Sequence, residues 1–498
     1  MSDVAKLKYS GFDSGVATMR PFDRDWSLFA RVCEPLCILA LCVPLLLLTG
    51  LPSVADPAEP KAPAAATPSA QENSDHQCDV LAASPLDKTR PAGIAGVEAY
   101  KIDAKSAVEA CRAALARHPS DPRIALQLGR ALYKNGSPGD FEEAGKLYRR
   151  AAEAGNVLGM NNLAVMYQFG DGVPLDLAEA LKWFRKAADA GFPTSMRNVG
   201  NMYDNGSGVQ KDQAEAVRWF RKSADAGDAT SQRMLGGFYD EAREGLPKDD
   251  RQAAHFYKLA ADQEDEIARS KLAEFYETGR GGLGKDEREA ARLYQLAAEQ
   301  GDAEAQNNLG FMYATGRGGL AKDEKKAAQL YEFAADQGDA TAQFNLATYY
   351  EDGRGGLKKD DREAARLYKL AADQGNAEAR TNLAHFYEDG RGGLAKDDRV
   401  AARLYRLAAG QGDAEALNNL AVMYATGRGG LDKDEREAAR FYRLAADQGN
   451  MHAEFNLATA YAEGRGVEKN LTEALRWYRR AAEAGYDDAK AKLKQLGH

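Results

Sequence analysis

Residues 301–337 read GDAEAQNNLGFMYATGRGGLAKDEKKAAQLYEFAADQ, and this stretch returns with small changes along most of the chain. The closing glycine, or its substitute, recurs at Gly155, Gly191, Gly227, Glu264, Gly301, Gly338, Gly375, Gly412, Gly449 and Gly485. The steps are 36, 36, six of 37, and 36 residues. A fixed period in this range predicts an array of stacked units, each a single supersecondary element.

Each unit reads as two helices. Asp302, Asp339, Asn376, Asp413 and Asn450 follow the closing position, where a side-chain oxygen accepts the free N–H groups of a first helical turn. Leu309, Gly310 and Tyr313 follow at helical spacing and share a face. A GRGGL loop ends this helix, because glycine adopts the left-handed conformation that closes one. Asp286, Asp360 and Asp434 open the second helix, with Glu289, Glu363 and Glu437 at capping-box spacing. Small and aromatic residues then alternate, as in Ala327, Ala328, Leu330, Tyr331, Ala334 and Ala335. The alanines permit close helix approach, and the aromatic fills the space between turns. One helix pair cannot bury both of its apolar faces, so neighbouring pairs must cover them. The loops at Gly170, Gly206 and Gly464 are one residue shorter than the others. The change of period therefore falls in loops, and the helices stay in register.

These residues resemble the Sel-one-like repeat family, a branch of the tetratricopeptide superfamily. Nine consecutive units in residues 156–485 carry its pattern, with Tyr167, Tyr203, Tyr239, Tyr276, Tyr313, Tyr350, Tyr387, Tyr424 and Tyr461 in register. One unit departs: YDEAREGLPKDD after Tyr239 lacks the first loop glycine, and Glu264 replaces the closing one. The resemblance implies an all-α fold, a right-handed α-α superhelix or solenoid. Residues 121–155 form a more tetratricopeptide-like unit with a shorter loop. Residues 78–120 read as an N-terminal cap with half a unit, and 486–498 as a polar capping helix that keeps the last repeat soluble.

The composition, 44% apolar with mixed charge, is that of a folded protein. A net charge of −9 argues against general nucleic-acid binding, which needs a basic face. LCILALCVPLLLL at residues 36–48 is the one strong apolar run. It is short for a spanning helix of about 20 residues. Ser53, Val54 and Ala55 match a signal-peptidase site before Asp56. Residues 1–55 thus read as a signal peptide and place the repeats in the periplasm. The rival reading is a single-pass anchor with the repeats outside the cytosol, and membrane contact follows only from that reading. Residues 56–77, rich in Pro, Ala and Ser, read as a flexible linker. After the apolar run only Cys78 and Cys111 remain. An even count in an exported chain suggests a disulfide, and two buried free thiols are the alternative.

No catalytic constellation, cofactor motif or metal-ligand spacing is present. The residue before the central leucine of the first helix is Asn162, Asn198, Asn308, Asn345, Asn382, Asn419 and Asn456, with Met234 and Lys271 in the other two units. In superhelical tetratricopeptide relatives this position faces the concave surface, where an amide clamps a peptide backbone. The alternative is that each amide bonds a neighbouring helix. Arg280, Arg317, Arg354, Arg391, Arg428 and Arg465 recur just past each first helix. They read as partners of the helix C-terminal carbonyls, or else as a basic edge for an acidic partner or glycan. Beside the asparagines the residues vary, among them Arg197, Arg233, Glu274, Phe311, Phe344, His385 and Phe455. A regular frame with irregular side chains on one face suits selective binding. The expected function is a non-enzymatic adaptor of the cell envelope that binds protein or peptide. The alternative is a polysaccharide binder or a regulator of exopolysaccharide production or export, which needs exposed aromatic platforms.

Overall fold

The structure, a computed structural model, describes residues 70–497. The apolar run, the cleavage site and most of the linker lie outside the described residues. Among the described residues all regular elements are helices, and none is long and apolar enough to cross a membrane. The chain divides into two compact units, one ending at Ala190 and the other running from Gly191.

The first unit holds three helix pairs: Ala70–Ala82 with Ala104–Arg117, Pro122–Asn135 with Pro138–Glu153, and Val157–Phe169 with Leu177–Asp189. The expected half unit is therefore a whole pair. Its first helix starts at Ala70, inside the stretch read as linker. The reason is a set of partners that composition does not reveal. Asp75 accepts from Arg117 at 2.6 Å and lies 2.8 Å from His118 Nε2, and Asp79 pairs with Arg123. Cys78 and Cys111 are buried and joined by a disulfide, with Cα atoms 4.7 Å apart. Arg130 is also buried, and it donates to the carbonyls of Ala82 and Val97.

The second unit holds eight helix pairs and a terminal helix, Asp487–Gln495. Each second helix packs on the first helix of its own pair and on the first helix of the next. Aromatic edges make the second contact. The ring centroids of Tyr331 and Tyr349 lie 5.4 Å apart, and those of Tyr368 and Phe386 5.6 Å, both edge-on. Asp302, Asp339 and Asp413 cap their helices as expected, each accepting the N–H three residues on at 2.7 Å.

The capping box is only half made. Asp286, Asp360 and Asp434 accept the backbone N–H groups of Glu289, Glu363 and Glu437. The glutamates do not reach back, because each pairs with Arg292, Arg366 or Arg440 one turn on. The cap's own N–H donates instead to the carbonyl of the recurrent tyrosine. Asp286 reaches Tyr276 at 2.8 Å, Asp360 reaches Tyr350 at 2.9 Å, and Asp434 reaches Tyr424 at 2.9 Å. The loop thus docks on the end of the first helix.

The departing unit keeps this path at a backbone cost. Ala242, Glu244 and Glu264 stand at φ 55°, 54° and 69°, where the other units have glycine. A side chain in that region is strained by about 1 kcal/mol. Glu244 carries a second cost. Burial, and then the Asp204 carboxylate, hold its carboxyl above the usual carboxylate range. A raised folded pKa means that the folded state holds the proton more tightly. The penalty is therefore full when pH exceeds the folded pKa, and it fades as pH falls toward the ordinary range. Glu244→Gly is expected to stabilise the protein by about 1 to 2 kcal/mol near neutral pH and by less near pH 5. Urea unfolding at both pH values tests this. An equal gain at both would leave backbone strain as the sole cause.

Candidate partner-binding face

The seven asparagines occupy one position on seven of nine successive first helices, and all are half-buried. In the second unit several form amide chains from repeat to repeat. Asn345 Nδ2 donates to Asn307 Oδ1 at 2.9 Å, and Asn307 donates to Asn308 at 3.2 Å. Asn456 donates to Asn418 at 3.0 Å, and Asn418 to Asn419 at 3.1 Å. Asn419 Nδ2 lies 2.9 Å from His385 Nε2, and Asn382 shares a hydrogen bond with the Tyr368 hydroxyl. In the first unit Asn162 accepts from Asn161 at 3.3 Å. Asn198 is half-buried at the same position in the second unit. Each amide offers two N–H donors and an oxygen with two lone pairs. The helix-to-helix bonds described here use part of that capacity, and the amides remain partly open to solvent.

The variable side chains divide. Arg197 and Arg233 lie 3.3 and 3.2 Å from Asp228 and Asp265, the caps of the following first helices. His385 packs edge-on to the Tyr405 ring and stands 3.6 Å from Glu415. Glu274 stands 3.7 Å from Arg280 and 3.9 Å from Lys271. Phe344 is half-buried against Tyr368, and Phe455 lies between Tyr478 and Tyr486. Phe311 alone of the three phenylalanines is exposed, at 45%. Aromatic platforms for a sugar chain are thus reduced to one ring at these positions.

The arginine ladder does something neither reading anticipated. Its side chains meet carboxylates of the preceding repeat. Arg317 reaches Glu287 at 2.8 Å and Glu277 at 3.0 Å. Arg391 reaches Asp361 at 3.2 Å and Glu351 at 2.9 Å, and Arg428 reaches Asp398 and Glu388, both at 3.0 Å. Arg465, near the end of the array, instead pairs with Glu463 at 2.7 Å. Buried tyrosines complete three of these networks: Tyr294 donates to Glu277, Tyr368 to Glu351 and Tyr405 to Glu388. The hydrogen bonds of Arg317 and Lys285 draw the Glu287 carboxyl down to about 2. Glu287 therefore stays ionised through the physiological range, and the pairs act as inter-repeat clamps. Their charge is largely satisfied within the protein.

A second set of ties was not anticipated. Gln337 donates to Gln306 at 2.8 Å, and Gln306 donates to the Ala298 carbonyl of the preceding second helix at 3.3 Å. Gln374, Gln343 and the Ala335 carbonyl repeat the arrangement. The signal was present in the sequence, since glutamine precedes the closing glycine in most of the 37-residue units. Among the described residues no group of His, Cys, Asp and Glu is placed to hold a metal ion.

Comparison with known proteins follows the same periodicity. The family model described as Sel1 repeat matches ten consecutive segments between residues 125 and 486. The first of these, 125–156, covers the unit read as more tetratricopeptide-like. Among solved structures the chain is similar to a protective antigen present in uropathogenic Escherichia coli strains, which displays an SLR fold. The two share 33% identity over 78% of this chain and 82% of that one, with a TM-score of 0.64. It is also similar to a Sel1 repeat protein from Oxalobacter formigenes, at 32% identity over 60% of this chain and 87% of that one, with a TM-score of 0.45. A comparison with curated protein sequences gave no match.

Proposed function

The chain belongs to the Sel1 repeat family, and we infer that it is an exported adaptor of the cell envelope that holds a partner's peptide segment along its first-helix asparagines. Sel1 repeat proteins are generally non-catalytic scaffolds for protein–protein interaction. The observation that carries the finer reading is the row of half-buried amides at Asn308, Asn345, Asn382, Asn419 and Asn456, repeated at a fixed step. Such amides pair with a peptide backbone whatever its side chains. Phe311 and His385 beside the row supply selectivity.

The export part of this reading rests on the leader-like residues 1–55 and on the paired cysteines, since disulfides persist in oxidising compartments. Fusion of residues 1–60 to a reporter active only outside the cytosol tests it, and an inactive fusion would overturn it.

For the binding face, Asn345→Ala with Asn382→Ala is expected to weaken a captured protein partner about tenfold, from two neutral hydrogen bonds at about 0.5 to 1.5 kcal/mol each. Each substitution also removes an internal bond, to Asn307 or Tyr368, so some loss of melting temperature is expected. Affinity measured well below the melting transition separates the effects. Unchanged affinity in the folded double variant would restrict these amides to tying helices together.

A further inference from the structure

The second helix of the sixth pair in the 191–498 unit, Asp398–Gly410, keeps an arginine whose usual carboxylate partner is missing. In five other pairs of this unit a glutamate three residues past the cap neutralises an arginine one turn on, and the remaining two have Gln252 with His255 and Lys326 with Gln329 at these positions. Glu215 meets Arg218 at 2.9 Å, Glu363 meets Arg366 at 2.5 Å, and Glu437 meets Arg440 at 2.9 Å. Here the glutamate is Val400, and Arg403 has no carboxylate. Arg406 is released as well. The sister arginines Arg221 and Arg443 donate to the hydroxyls of Tyr239 and Tyr461, whereas Tyr424 is stacked on Phe441 with no such bond. Arg399 completes the group, lying over Gly430, where a Cβ would stand 3.4 Å from its Nε.

The three exposed arginines line an open cleft of about 480 Å³, closed on one side by Gly429, Gly430 and Leu431. Two acids beside the cleft are committed elsewhere, while Asp432, next to Leu431, is exposed. Asp397 accepts the backbone N–H groups of Arg399 and Val400, and Asp398 pairs with Arg428. Positions 399, 403 and 406 fall on successive turns of one helix face, with rises of about 6 and 4.5 Å. Carboxylates on alternate residues of an extended chain are about 6.6 Å apart, close to that spacing. Leu370, Leu407 and Leu444 lie exposed at one equivalent position in successive repeats, while Lys222 and Arg480 stand there toward the ends of this unit.

We propose that this cleft docks an acidic, extended segment of a partner protein, its carboxylates on Arg399, Arg403 and Arg406 and its alternate apolar residues toward the exposed leucines. This is a second site, apart from the asparagine row. It depends on the adaptor reading only in taking a protein as the occupant. Because the whole chain carries −9, diffuse attraction does not explain affinity for an acidic peptide, and a local site is required.

The test uses the purified repeat protein and a short fluorescent peptide of alternating Glu and Leu, beside the same peptide with Gln for Glu. Fluorescence anisotropy at low salt is expected to show the Glu peptide bound at least tenfold more tightly, with the difference shrinking as salt rises. Val400→Glu restores the sister ion pair and is expected to weaken the Glu peptide about tenfold while leaving the melting temperature unchanged. Arg403→Gln should do the same and guards against a misfolded first variant. Equal binding of the two peptides, no binding, or indifference to both substitutions would overturn the proposal. Tighter binding of heparin with the same losses would mark a general polyanion site and overturn the peptide assignment. Either failure leaves binding at the asparagine row unaffected, so the two readings are separable.

Discussion

Gly392→Ala is expected to destabilise the unit from Gly191 onward by about 2 to 4 kcal/mol, combining backbone strain with overpacking. Gly392 is the middle glycine of its GRGG loop and stands at φ 63°. A Cβ there would lie 2.5 Å from the Asp361 carbonyl oxygen and 2.7 Å from Ala365 Cβ, both on the second helix of the preceding repeat. Neither can swing aside as the tip of a long side chain would. The loop would have to lift off that helix and weaken the repeat interface. Gly412→Ala is the control, because Gly412 stands at φ 90° with nothing within 4 Å of its Cβ position. It is expected to cost only about 1 kcal/mol. Urea unfolding of the two variants separates backbone strain from close approach, and equal losses would show that the loop contact contributes nothing. In a repeat array a weakened interface also reduces cooperativity. A broader or split transition is therefore expected for Gly392→Ala alone.

Reduction of the Cys78–Cys111 link should destabilise the unit ending at Ala190 by about 3 to 4 kcal/mol, from the loop entropy released in the unfolded chain. The cysteines are 33 residues apart in sequence and join the two helices of the first pair. Within that pair Asp75 adds a polar tie to Arg117, Asp79 and Arg130 instead link this end of the chain to Pro122–Asn135, and the first helix buries few large apolar groups. Thermal unfolding with and without reductant should show an early transition that moves down. The transition of the unit from Gly191 should stay in place. Cys111→Ser should unfold like the reduced protein and be indifferent to reductant. Two free thiols per chain in protein taken from its native compartment would leave the link unused there.

The two readings of the asparagine row meet different fates at different residues. Asn345 and Asn456 tie neighbouring repeats, as the structural alternative required, yet their amides remain partly exposed. Phe344 and Phe455, legible as candidates for exposed anchors, fold against Tyr368 and Tyr478 of the second helix of their own pair. Phe311 has no such neighbour within the aromatic contacts of its repeat and stays in solvent.

The sequence by itself determined the repeated helical pairs and their period, while the first pair, Ala70–Ala82 with Ala104–Arg117, lies partly in the stretch it read as linker. The repeated pairs depend on interactions within a few residues: Asp302 capping Ala305, Gly316 closing a helix at φ 71°, alanines at helical spacing. Repetition of such local rules makes them legible. Only the tertiary structure decided what the long side chains meet. Arg317 finds its carboxylates 30 and 40 residues back, Asn345 finds its amide 38 residues back, and Arg403 finds none. A guanidinium or amide reaches across a repeat boundary, and several partners lie within its radius. The offset between stacked helices selects among them, and that offset is set by the packing of Tyr368 on Phe386 and of Gly392 on Asp361. No local pattern encodes it.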